Sequence, residues 1–340
     1  MTPAIASAAI EDFQRTFAAI RAEIARVVIG HAQAIETILT SFFAGGHVLI
    51  EGVPGIGKTL IVRSLAEALN LSFNRIQFTV DLMPADITGT RIITEHPDGR
   101  RELAFVAGPI FAHLLLGDEI NRATPKTQSA LLEAMAEQQV TVAGASYRLA
   151  APFFVLATLN PIEMEGTYQL PEAQLDRFLF KVRLEYPSEP ELARILAATT
   201  VADSPTIRPV LSADRAAGRA EELKRLVREV LVAPHVERYV AGLVRLTTPA
   251  GARGDSEAES DVRRYVTYGA SPRGAQALVL GAKVMALLDG RPHATYDDVD
   301  KVAVPALRHR LVMSFAAEAA GVAPDEIVER VLAAARRLRT

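Results

Sequence analysis

Short apolar stretches at His47–Glu51, Arg75–Val80, His113–Gly117, Phe153–Thr158 and Phe178–Leu184 recur through the first two thirds of the chain, and helix-length segments separate most of them. Apolar runs of this length in that rhythm predict a parallel α/β sheet. Further on the period changes, and Ser212–Leu231, Pro234–Leu246, Ser271–Leu288, Thr295–Leu311 and Pro324–Leu338 carry apolar residues at helical spacing. Thr295 with Asp298 makes a capping box, and Ser271-Pro272 offers an N-cap followed by a proline at the first helical position. These signals predict an α/β unit over 1–200, with an N-terminal helix from about residue 8, and an all-helical unit over 201–340. The boundary rests on Tyr186–Pro190 (YPSEP) closing the last strand and on the break at Ala202–Pro205 (ADSP).

Two stretches stand outside this rhythm. Thr90–Glu95 and Arg101–Val106 flank the turn His96–Arg100 (HPDGR), while Val140–Val142 and Tyr147–Ala150 flank Ala143–Ser146 (AGAS). Both read as β-hairpins inserted at about 88–107 and 139–151. Thr248–Ser260 is small and polar throughout, which predicts a mobile loop.

Composition narrows the function classes. The 340 residues include no cysteine, so disulfides, thiolate metal sites and cysteine nucleophiles are excluded. The seven histidines show no metal-ligand spacing. The first residues lack a signal-peptide pattern and no run is long and apolar enough to span a bilayer, so a cytoplasmic protein is expected. A net charge of −3 gives no global field toward nucleic acid or anionic lipid, and the arginines of Ala333–Arg339 suit a helix carboxyl terminus.

Chemistry concentrates in one constellation. Gly52, Val53, Pro54, Gly55, Ile56, Gly57, Lys58 and Thr59 form a complete G-x-x-x-x-G-K-T between an apolar strand and the helical run that opens at Leu60. The glycines let backbone N–H groups turn toward phosphate oxygens, Lys58 neutralises the outer phosphates and the Thr59 hydroxyl binds Mg²⁺. Asp118 and Glu119 follow the strand ending at Gly117: Asp118 as the second group orienting Mg²⁺, Glu119 as general base for water. Their plainer alternative is an acidic helix cap. Asn160 ends another strand and is placed to hold the attacking water or sense a phosphate, unless Asn160-Pro161 is only a turn. Arg177 and Arg273 fit charge developing on a phosphoryl group, or else make ordinary salt bridges.

These residues in this order resemble the AAA+ ATPases, and the runs Gly108–Ala123, Pro125–Met135 and Glu165–Phe178 resemble the MoxR branch. The resemblance implies an AAA+ P-loop core with sheet order 5-1-4-3-2, a helical lid, and two hairpins facing a pore. It implies adenine-side contacts at Val28, Ile29 and Gly30, a first sensor at Asn160, a second at Arg273, and an arginine finger at Arg177, with Arg122 as the alternative. It further implies ATP hydrolysis in a homo-oligomeric, hexameric ring that remodels, matures or activates protein clients, beside a partner bearing a von Willebrand factor A domain. No room is left for a domain beyond the lid. Gly117 departs from the pattern, which leads one to expect alanine there. Two other readings stay open: a nucleic-acid motor of helicase type, weakened because the second hairpin carries only Arg148 against Arg91, Arg100 and Arg101 on the first, and a switch that binds ATP without hydrolysis.

Overall fold

The computed structural model describes residues 5–95, 101–160, 167–201, 205–254 and 256–339. The expected turn at 96–100, Pro161, part of the run beginning at Glu165 and the break at 202–204 lie outside them. Five strands, β1 (Val48–Glu51), β2 (Phe73–Gln77), β3 (Leu114–Asp118), β4 (Phe154–Leu159) and β5 (Phe180–Arg183), form one parallel sheet. Their spatial order is β5-β1-β4-β3-β2, as the resemblance implies.

β1, β3 and β4 are buried almost throughout because helices cover both faces. The helix Ser7–Val27 buries Ile10, Phe13, Phe17, Ile20 and Ile24, a three-and-four spacing that turns one face inward. Its Phe13 meets Phe43 edge to face at 5.2 Å, and Phe42 meets Phe154 of β4 at 5.3 Å, joining helices to sheet through aromatic contacts. A Cβ on Gly117 would lie 3.2 Å from both Leu131 Cδ2 and Phe78 Cε2, so the missing methyl has a packing reason.

Both hairpins are present, as Gly89–Glu95 with Arg101–Ala107 and Gln139–Val142 with Ala145–Arg148. The second turns tightly through Ala143 and Gly144, both at positive φ. Phe105 of the first stacks on Tyr147 of the second, ring centres 3.9 Å apart, so the hairpins touch each other.

The remaining chain adds the helices Ala216–Glu229, Pro234–Leu246, Glu257–Tyr265, Pro272–Leu288, Tyr296–Leu307 and Pro324–Ala335. Glu257–Tyr265 corrects the expectation of a mobile loop over Thr248–Ser260. The Ser256 hydroxyl accepts from Glu259 N–H, and Arg263 Nη1 clamps Ala252 O and Gly254 O at 2.6 and 2.8 Å. Arg336 and Arg339 pair with Asp300, and Arg339 also with Asp297, so those terminal arginines are spent on the lid itself.

Candidate functional site

The loop after β1 is built for close approach. Gly55 (φ +83°) and Gly57 (φ +92°) hold left-handed backbone with open space beside them, a conformation that would strain any side chain. Gly52 is packed instead: a Cβ there would sit 2.6 Å from Ile56 Cδ1. Val53 and Pro54 complete the loop, and the helix Lys58–Leu69 starts directly from it, so its free N–H groups and dipole face the same space. Lys58 is 7% exposed and donates from Nζ to Gly52 O at 2.7 Å. Burial lowers its pKa, while Asp118 and Glu119 pull the other way. Thr59 is half-buried beside it and Leu60 faces outward.

Asp118 closes β3 and is buried; its Oδ1 accepts from Thr158 Oγ1 at 2.6 Å and its Oδ2 from Arg75 at 2.7 Å. Glu119 follows in left-handed backbone, φ 58°, which swings its carboxylate away from the strand line. Its N–H donates to the same Thr158 hydroxyl at 2.8 Å; Gln77 Nε2 donates to its Oε2 at 3.0 Å, and Arg122 Nη1 lies 3.2 Å from that oxygen. Arg75 also donates to Gln77 Oε1 at 2.7 Å, so β2 supplies a polar bridge between the two carboxylates. Asn160, buried, follows β4 at this end of the sheet. Thr59 and Asp118 offer the hard oxygens that Mg²⁺ takes, and the open glycine backbone suits phosphate; the residues present therefore fit a magnesium nucleotide.

Val28, Ile29 and Gly30 leave the helix Ser7–Val27 through Gly30 at φ +79°. Gly30 lines two cavities of about 500 and 680 Å³, the larger shared with Val28 and Ile29, the other with Tyr186 and Pro187 after β5.

Arg177 and Arg273 are not brought to the P-loop. They line one cavity of about 300 Å³ with Gly46 and His47, which precede β1, whereas the P-loop follows it. In a parallel sheet all leading ends lie together, and a strand of five residues is roughly 17 Å long, so these arginines occupy the end opposite Lys58 and Glu119. Arg177 Nη1 donates to Leu132 O at 2.6 Å, and Arg273 lies 3.9 Å from Asp176. Arg122 stays at the P-loop end with its own Glu119. Sequence reasoning missed Thr158, Arg75 and Gln77. The signals were a hydroxyl in an otherwise apolar strand and two polar residues spaced by two on one face of β2.

Comparison with known proteins identifies the family. The family model of the ATPase family associated with various cellular activities (AAA) matches residues 47–180, and an AAA lid domain matches 258–331. Chaperone MoxR1 of Mycobacterium tuberculosis is 41% identical over 91% of this chain and 79% of its own. Protein MoxR of Paracoccus denitrificans is 34% identical, covering 91% and 92%. A solved structure from Cytophaga hutchinsonii, provisionally described as an ATPase, is 36% identical with a TM-score of 0.85 and covers 96% of each chain. The chain belongs to the MoxR family of AAA+ ATPases, and hydrolysing ATP is its activity.

Proposed function

We propose that each copy holds Mg²⁺ and ATP at its P-loop and that Arg177 and Arg273 of a neighbouring copy complete the site, in a closed hexameric ring. One observation carries this reading: the P-loop with Lys58 lies at one end of the sheet, and Arg177 and Arg273 lie at the other. A head-to-tail interface brings opposite ends together, and such interfaces close into rings.

Within the site, Lys58 and the N–H groups of Gly55–Thr59 hold the phosphates, and the bound ion neutralises charge on their oxygens. Glu119 accepts the proton of the attacking water while Asn160 orients it. The neighbour's Arg177 then meets the charge that develops as the phosphoryl group transfers, a contribution of ~10³–10⁵ in rate in other NTPases. Val28, Ile29 and Gly30 border the space for the base.

The hydrolytic cycle acts on polypeptide clients in the cytoplasm, beside a partner with a von Willebrand factor A domain. Support comes from the first hairpin, where Ile93 and Leu103 face each other across the strands and are 68% and 59% exposed. Apolar surface of this kind suits a polypeptide rather than a phosphate backbone.

Steady-state ATPase activity against protein concentration tests the reading. Specific activity should rise with concentration, vanish in Glu119→Gln and fall sharply in Arg177→Ala with ATP binding retained. Concentration-independent turnover, or a fully active Arg177→Ala, contradicts it.

A further inference from the structure

Arg310 lies beneath the segment that carries Arg177, its side chain only 3% exposed. Its guanidinium donates to Asp176 Oδ1 at 2.8 Å, Asp176 O at 3.1 Å, Phe178 O at 2.7 Å and Leu179 O at 3.0 Å, and also to Ala306 O. A buried guanidinium is costly unless its donors are satisfied, and here the satisfaction fixes the backbone on both sides of Arg177, at Asp176, Phe178 and Leu179.

Arg310 belongs to the lid, just past the helix Tyr296–Leu307, whereas Asp176 precedes β5 of the sheet. The second oxygen of Asp176 turns to another lid element: Ser271 Oγ donates to Oδ2 at 2.7 Å, and Arg273 Nη1 lies 3.9 Å away. The two lid elements also pack on each other, since a Cβ on Gly274 would sit 3.1 Å from Arg310 Cδ. One carboxylate therefore joins the Arg177 segment to both parts of the lid that border it.

We infer that Asp176 and Arg310 are positioning residues that hold Arg177 and Arg273 as one unit, so that lid movement sets both arginines against the neighbour's nucleotide together. This rests on the trans-acting reading above. Neither positioning residue lies at the P-loop end, so each acts through the arginines and leaves the chain's own nucleotide affinity alone. A clasp that only stabilised the fold would lower the melting temperature and leave turnover intact.

The test uses the full chain with Asp176→Asn, which keeps the side chain's shape and removes its charge. Ser271→Ala, which cuts only one lid bond, is measured beside it, and Arg177→Ala serves as reference. Melting temperature, affinity for a fluorescent ADP analogue and turnover at saturating ATP are read for each. Asp176→Asn should bind the analogue as wild type does and lose about tenfold or more in turnover, the scale set by small misplacements of catalytic groups. Ser271→Ala should lose in the same direction, and it decides the matter if Asp176→Asn does not fold. Wild-type turnover in folded Asp176→Asn and Ser271→Ala beside a crippled Arg177→Ala overturns the inference alone, as does a loss of analogue affinity in step with turnover. A fully active Arg177→Ala overturns the trans-acting reading and this inference with it.

Discussion

Thr158 is fully buried, and its hydroxyl donates to Asp118 while accepting from the Glu119 N–H. Thr158→Val keeps the shape but takes a donor from the buried Asp118 carboxylate and an acceptor from the part-buried Glu119 N–H, so a loss of about 1–3 kcal/mol in a denaturant titration is expected. Turnover should fall with it, and Thr158→Ser should restore both. His47, also buried, accepts from Val155 N–H on one nitrogen and donates to Met135 O from the other. Burial pushes its pKa down from 6.5 to about 4, so the folded protein refuses a proton that the unfolded chain takes. Stability is therefore unaffected by His47 above pH 6.5 and is lost as pH falls from 6.5 toward 4, by up to about 1.4 kcal/mol per pH unit. Unfolding titrations at pH 7, 6 and 5 should show a shallower decline in His47→Gln. Lys58, Asp118 and Glu119 stood out in the sequence as candidates because their spacing is tied to backbone chemistry. Thr158 was not, because its role depends on which strand lies beside β3, and sequence order does not reveal that.

The strands and the longer helices follow their apolar periods closely, since burial of one face dictates both period and extent. Glu257–Tyr265 did not, because seven of its nine residues are small or charged and only Val262 and Tyr265 carry an apolar signal. Its start signal was nonetheless present as Ser256 with Glu259 three positions on. Ser256→Ala should destabilise this helix by about 1 kcal/mol. Hydrogen exchange should then speed up across Glu257–Tyr265 and leave the sheet unchanged; uniform protection would show that Arg263 alone holds the segment. The hairpins were legible from alternation and turn residues, but their mutual contact through Phe105 and Tyr147 was not, being a matter of how two insertions lean.

For the whole molecule, the sheet order and the lid were legible through resemblance, while the opposite placement of the arginines was not. Pattern assigns Arg273 to a helix start but says nothing of which end of the sheet that start approaches. Arg177 and Arg273 lie at the end of the sheet opposite the P-loop, and on the proposed reading that makes turnover a property of the joint between copies. Lys58→Ala removes the P-loop lysine and keeps Arg177; Arg177→Ala does the reverse. The measurement is the ATPase rate of the two variants mixed in equal amounts after exchange of subunits. About a quarter of the joints in a randomly mixed ring pair an intact P-loop with an intact arginine, so two nearly inactive proteins should together regain about that share of wild-type activity. A mixture no more active than its components contradicts a site shared between copies.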